Sequence, residues 1–221
     1  MPALTPLLDV HHISYSPHQA GLLAPVSFQL NAGEQLYLTG PSGSGKSTLL
    51  KIIASLLEPT TGTLMYKGDP VANLKPEQYR REVSYCFQSP TLFGETVWDN
   101  LALPWHIRQQ KADPALLRRW LEKVRLPGDL LDKNISLLSG GEKQRVALLR
   151  NLQFLPAILL LDEITSALDE ENKQGIGELI DDMAKQQGTA VIWITHDKME
   201  IERAPRLLTL TAPARSENEP A

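Results

Sequence analysis

GPSGSGKST, residues 40–48, is the stretch whose reading decides the fold. It fits G-x-x-x-x-G-K-[ST], with Gly40, Gly45, Lys46 and Ser47 at the defining positions. Small residues let successive backbone N–H groups turn inward around phosphate oxygens, and a helix starting near Lys46 adds its positive dipole end. All nine residues, Gly40, Pro41, Ser42, Gly43, Ser44, Gly45, Lys46, Ser47 and Thr48, are therefore candidates to hold a nucleotide's phosphates. Lys46 can reach the β- and γ-phosphates, and the Ser47 hydroxyl suits a Mg²⁺ position. The flanks agree with this reading: EQLYLT before the loop reads as a strand, and KSTLLKIIASLL, 46–57, as a helix.

Working outward, LLDVHHI and PVSFQL read as short strands ahead of the loop, with NAG at 31–33 as a turn. After it come TGTLMYKGDPV, a strand and turn, and VSYCFQ, 83–88, another strand. The middle, about 89–136, changes character. DPALLRRWLEKV, 113–124, opens with a capping Asp113 and Pro114, and places Leu116, Leu117, Trp120, Leu121 and Val124 on one helical face. A helix to about 154, the buried-strand run AILLLD, a helix over EENKQGIGELIDDMAKQQG stopped by Gly188, and the strand TAVIWIT complete the pattern. Strands alternating with helices imply an α/β fold with a largely parallel sheet covered on both sides. LLLDE, 159–163, ends a buried strand in two carboxylates. A phosphate loop needs one carboxylate near Mg²⁺ and one group to orient the attacking water, and Asp162 suits the first role and Glu163 the second.

Bulk properties narrow the class. A length of 221 residues fits one domain, given about 100–200 residues per domain. The net charge of −4 gives no basic face for nucleic acid, and a single cysteine, Cys86, excludes an intrachain disulfide. The first residues lack the basic start and apolar run of a signal peptide, and no apolar run approaches the roughly 18–20 residues that span a bilayer. A soluble, cytoplasmic protein is expected, reaching a membrane only through another polypeptide.

LLSGGEKQR, 137–145, presents a puzzle: Ser139, Gly140 and Gly141 form a second anion cradle in a chain that already has one. With Gln88 in CFQSP, LSGGE at 138–142, ILLLDE at 158–163, SALD at 166–169 and His196 in ITHD, the chain resembles the ATP-binding subunit of an ABC transporter, over nearly its whole length and in the family's motif order. The resemblance implies a P-loop NTPase fold: a RecA-like, mostly parallel core with an N-terminal antiparallel β subdomain (1–88 and 137–210), an inserted α-helical subdomain (about 89–136) and a flexible tail (211–221). It implies ATP and Mg²⁺ as ligands, with Ser47, Gln88 and Asp162 around the metal. It also implies a second copy packed head to tail, so that Ser139, Gly140 and Gly141 serve the partner's ATP. By the same resemblance Tyr15 stacks on adenine, Gln88 senses the helical insertion, Glu163 and His196 act at the γ-phosphate, and Asp169 faces the other copy. Ser139 and Asp169 are also plain helix caps by residue type. Ile164 departs from the Pro that many relatives carry after the catalytic Glu.

The resemblance further implies a separate permease at the inner membrane, with the ATPase on its cytoplasmic face. Leu92, Phe93, Val97, Trp98, Leu101, Leu103 and Trp105 load the insertion with apolar surface, and Phe93, Trp98 or Trp105 is expected to line a groove for that permease. Over the whole chain the similarity is to the ATP-binding components of bacterial iron exporters. His11 and His12 are expected on opposite strand faces, and with His18 they make no metal site. Two rival classes are a soluble mechanical ATPase of the same superfamily acting on nucleic acid or ribosomes, and a non-catalytic regulatory module. The absence of sustained heptads argues against a DNA-repair form of the first, and the presence of Lys46, Glu163 and His196 against the second.

Overall fold

Period-two alternation builds the central sheet. In β3 (Gln35–Thr39), Leu36 and Leu38 point to one face and Tyr37 to the other; in β7 (Ile158–Asp162) and β8 (Ala190–Ile194) all five residues are buried because both faces are covered. These strands pair in parallel with β6 (Val83–Cys86) and β9 (Leu207–Thr209) in the order β6-β7-β8-β3-β9. One face carries the helix after the phosphate loop, α1 (Lys46–Ile53), with Leu49, Leu50, Ile52 and Ile53 in the same core as Leu36, Leu38, Leu160 and Ile192. That core continues into an antiparallel sheet of β1 (Leu8–Tyr15), β2 (Leu23–Leu30), β4 (Thr61–Tyr66) and β5 (Asp69–Pro70), in the order β2-β1-β4-β5. The computed structural model describes residues 5–17 and 21–213.

The opposite sheet face, with Tyr37, Leu159, Leu161, Val191 and Trp193, packs under α5 (Gly140–Leu152) and α6 (Glu170–Gln187), which contribute Leu148, Leu152, Ile176, Ile180 and Met183. A third core joins α3 (Val97–Ile107) and α4 (Pro114–Lys123) to α5 through Val97, Leu101, Leu117, Leu121, Val146 and Leu149. α5 thus bridges the central sheet and the helical segment. Asp113 caps α4 by accepting from the Ala115 amide, and Gly188 ends α6 in the left-handed conformation, φ 71°.

Several details depart from expectation. The helix expected over 46–57 stops at Ile53, because Ser55 turns left-handed (φ 56°) and the Leu56 amide closes on the Lys51 carbonyl, 2.8 Å. The strand expected over 83–88 ends at Cys86. His11 and His12 do not alternate across β1: His12 lies at φ 50°, a register shift follows Val10, and both rings are exposed, 4.5 Å apart. Two short helices, α2 (Pro76–Glu82) and α7 (Lys198–Glu202), and the mostly exposed β9 have too few apolar residues to announce themselves in sequence. His18 and the tail beyond residue 213 lie outside the described residues.

Candidate functional site

The phosphate loop closes against the antiparallel sheet. Gly45 has φ 88°, and a Cβ there would stand 2.4 Å from the Leu22 carbonyl oxygen. The Leu22 amide in turn donates to the Tyr15 carbonyl, 2.9 Å, so the half-buried Tyr15 sits at the strand end beside the loop. No side chain caps α1, which leaves its first-turn N–H groups to an external acceptor. Lys46 is buried and curls over the loop, its Nζ donating to the Gly40 and Pro41 carbonyls at 2.9 and 3.1 Å. The Ser44 hydroxyl is buried without a hydrogen-bond partner among the described residues. The uncapped first turn of α1 and the unpartnered Ser44 hydroxyl are donors of the kind an anion site requires, while Lys46 is held by the loop's own carbonyls. Pro41, Ser42 and Gly43 form its exposed rim, and Thr48 follows Ser47 in the first turn of α1.

Asp162 ends β7 and is buried. Its Oδ1 accepts from the Ser47 hydroxyl at 3.0 Å and its Oδ2 from the Tyr85 hydroxyl at 2.6 Å. Burial first, then the Asp162 carboxylate, pushes the Tyr85 hydroxyl well above its ordinary pKa, so it acts as a fixed donor. Hydroxyl and carboxylate oxygens side by side are the hard donor set that suits Mg²⁺, and Ser47 and Asp162 fit it.

Next to them Glu163 takes a left-handed backbone conformation, φ 50°, and its amide donates to the Ile194 carbonyl, 3.0 Å. This turn aims the carboxylate between two partners. Oε2 accepts from Gln88 Nε2 at 2.8 Å, and Oε1 lies 3.0 Å from His196 Nε2. Three residues far apart in sequence thus meet at the C-terminal ends of β6, β7 and β8, where ligands bind in open parallel sheets. Ile164 is buried in the core under α6, so its side chain serves packing.

The segment carrying His196 is braced by residues that the sequence did not single out. Glu200 accepts from the Thr165 hydroxyl at 3.3 Å and from the Thr195 hydroxyl. Asp197 caps α7 and pairs with Lys173 of α6 at 2.6 Å. Thr165, two residues after Glu163, and Thr195, next to His196, are the only sequence trace.

Ser139, Gly140 and Gly141 form a separate, largely exposed group. The Ser139 hydroxyl accepts from the Glu142 amide at 3.2 Å, and Glu142 accepts from the Ser139 amide at 2.7 Å, a complete capping box. Gly141 abuts Leu168, and Asp169 caps α6 through the Asn172 amide at 2.9 Å. Among the described residues no hydrogen bond joins this group to residues 40–48. Of the three aromatics expected at a docking groove, Trp98 and Trp105 are half-buried on the helical core, and Phe93 is half exposed.

A family model described as ABC transporter matches residues 23–166. The chain is 55% identical over 206 residues to the Escherichia coli K12 protein described as "Probable iron export ATP-binding protein FetA", covering 93% of this chain and 92% of that one. Two solved structures of MJ0796, a bacterial ABC transporter cassette, align with a TM-score of 0.83. The dimer, at 28% identity, covers 93% of this chain and 94% of that one. The other, a dimeric post-hydrolysis state bound to ADP and Pi at 27% identity, covers 97% and 100%.

Proposed function

The chain belongs to the ABC transporter family, and from that premise we propose that it hydrolyses ATP as a head-to-tail pair attached to a separate membrane permease, with Glu163 at the centre of the reaction. The observation that carries the assignment is the placing of one carboxylate between the Gln88 amide and the His196 imidazole, directly after a second carboxylate held on Ser47.

Residues 40–48 and the first turn of α1 hold the phosphates, and Lys46 exchanges its contacts with the loop carbonyls for phosphate oxygens. Ser47, Asp162 and Gln88 would hold Mg²⁺, which would supply charge neutralisation for the β- and γ-phosphates. Tyr15 stacks on the base. Glu163 orients a water for in-line attack and takes its proton as the bond to the β-γ bridging oxygen breaks and ADP leaves. His196 contacts the γ-phosphate, and Gln88 links the reacting group to the helical segment of about 89–136. Most of the acceleration is positioning and charge stabilisation, for which fixed donors and acceptors suffice. Ser139, Gly140, Gly141 and Asp169 close the site of the second copy.

No helix among the described residues is long and apolar enough to cross a membrane, which agrees with a separate permease. The helical segment holds helices of 11 and 10 residues rather than the long coiled coil of a DNA-repair ATPase. Likeness to an iron-export protein supports iron as the cargo and the cytoplasmic face of the inner membrane as the place of work.

Glu163→Gln keeps the size and the Gln88 contact but removes the proton acceptor. ATP turnover is expected to fall at least about 100-fold, while ATP binding and ATP-dependent dimerisation persist. Turnover near that of the unaltered chain, followed by phosphate release, would remove Glu163 from this role.

A further inference from the structure

Adjacent histidines in a regular strand point to opposite faces. In β1 they do not. Val10 pairs with Phe28 and Ile13 with Val26, so β1 advances three residues while β2 advances two, a bulge. Val10 and Ile13 are both buried in the core, and His11 and His12 between them are both exposed. Their rings stand 4.5 Å apart at 64° to each other, and the two Nδ1 atoms approach to 3.4 Å.

Both neighbouring strands hold the bulge in place. The His12 amide donates to the Ser27 hydroxyl of β2 at 2.8 Å, and the His12 carbonyl accepts from the Thr61 hydroxyl of β4 at 3.4 Å. Gly62 of β4 gives it room: at φ 90°, a Cβ there would lie 2.3 Å from the His12 carbonyl oxygen. His12 itself lies at φ 50°, which a residue with a Cβ adopts only at a cost in strain. Core packing does not explain that cost, because both side chains end in solvent. What the bulge achieves is the meeting of two imidazoles.

We propose that His11 and His12 chelate a divalent transition-metal ion, with Zn²⁺ as the type, through both Nδ1 atoms. Zn–N bonds of about 2.0–2.1 Å at the tetrahedral angle set two nitrogens about 3.3–3.4 Å apart. The observed separation is 3.4 Å. Imidazole nitrogen suits Zn²⁺, Cu²⁺ and Ni²⁺, whereas Mg²⁺ takes oxygen, so this site is chemically distinct from the Ser47–Asp162 pair. Without an ion, the Nδ1–H of one ring donates to Nδ1 of the other; with an ion, both rings carry their proton on Nε2. Among the described residues no group of three or more His, Cys, Asp and Glu side chains gathers for a metal, so water fills the remaining positions and the ion exchanges with solvent. The inference goes beyond the ATPase reading and does not depend on it.

The test titrates the full chain with Zn²⁺ in a calorimeter, without nucleotide and with excess Mg²⁺ present. The expected result includes one Zn²⁺ per chain that His11→Gln and His12→Asn each weaken at least about tenfold, because a chelate loses most of its affinity with either arm. Asn tolerates the left-handed backbone at position 12, and unchanged thermal unfolding of both variants shows that the fold is kept. His196→Ala should leave this ion in place. Cu²⁺ bound in place of Zn²⁺ should show electron paramagnetic coupling to two imidazole nitrogens in the unaltered chain and to one in either variant. Three results would overturn the proposal. One is no Zn²⁺ binding that the His11 and His12 changes affect. Another is halved stoichiometry at unchanged affinity in each variant, which means that each ring binds its own ion. The third is loss of the ion in His196→Ala alone, which assigns it to the phosphate site.

Discussion

At the residue scale, the site depends on backbone conformations that few residues tolerate. Gly45 combines a positive φ with a carbonyl oxygen where a Cβ would go, whereas Gly43, also at positive φ, has nothing within 4 Å of that position. Gly43→Ala is expected to cost only the conformational strain, about 1 kcal/mol. Gly45→Ala must also displace Leu22 and with it the strand end at Tyr15, for a total of about 2–3 kcal/mol. Thermal unfolding and nucleotide titration of the two variants check this. Gly45→Ala should lose several degrees of stability and more than tenfold in ATP affinity, with Gly43→Ala clearly milder. Equal effects would show that space behind the loop does not matter. Glu163 is the opposite case, a non-glycine residue held left-handed at φ 50° by the Ile194 carbonyl, so that strain is accepted where it aims a carboxylate.

At the element scale, α6 and α7 form a clip around the strand end that carries His196. Lys173 reaches from α6 to Asp197, and Glu200 of α7 ties Thr195 to Thr165. Glu200→Gln and Lys173→Met leave every phosphate contact in place. Each should therefore lower kcat by about fivefold, near 1 kcal/mol, while ATP affinity stays within about twofold. A loss in affinity with kcat unchanged would show that the clip supports the phosphate loop instead. Lys173 holds the Asp197 carboxyl below the ordinary carboxylate range, and Asp197 holds the Lys173 amine above the ordinary lysine range. The carboxylate's contribution is present above its unfolded pKa and is lost only as pH falls through the depressed value. The lysine's is lost only as pH rises through the elevated one. The kcat defect should thus be constant from about pH 5.5 to pH 9.

The same scale shows what the sequence could and could not reveal. Alternation and capping residues located β3, α1, β7, α6 and β8, because each buries a continuous apolar face. α2, α7 and β9 were missed because their few buried groups leave no period to read. The bulge at His12 was missed because a single left-handed residue leaves composition unchanged and reverses the side-chain alternation. Within the site, the phosphate loop and the two carboxylates could be read from spacing. Tyr85, Thr165, Lys173 and Glu200 could not, since only the tertiary fold brings them to Asp162 and to the end of β8.

At the scale of the whole molecule, the two cradles belong to different cores. The phosphate loop rests on the core shared by α1 and the antiparallel sheet, whereas Leu138, next to Ser139, is buried in the helical core. α5 packs on α3, α4 and β6. The exposed Ser139–Gly141 surface is therefore available to another copy, whose ATP it would complete. The most direct measurement compares the same two lesions placed in trans and in cis. Differently tagged chains carrying Lys46→Ala and Ser139→Phe are co-purified as mixed pairs, and a chain carrying both changes is paired with an unaltered one. If each ATP is held between copies, the trans pair retains one intact site and hydrolyses ATP, and the cis pair retains none. Activity in the cis pair together with an inert trans pair would mean that each chain uses its own two cradles, and would contradict the account.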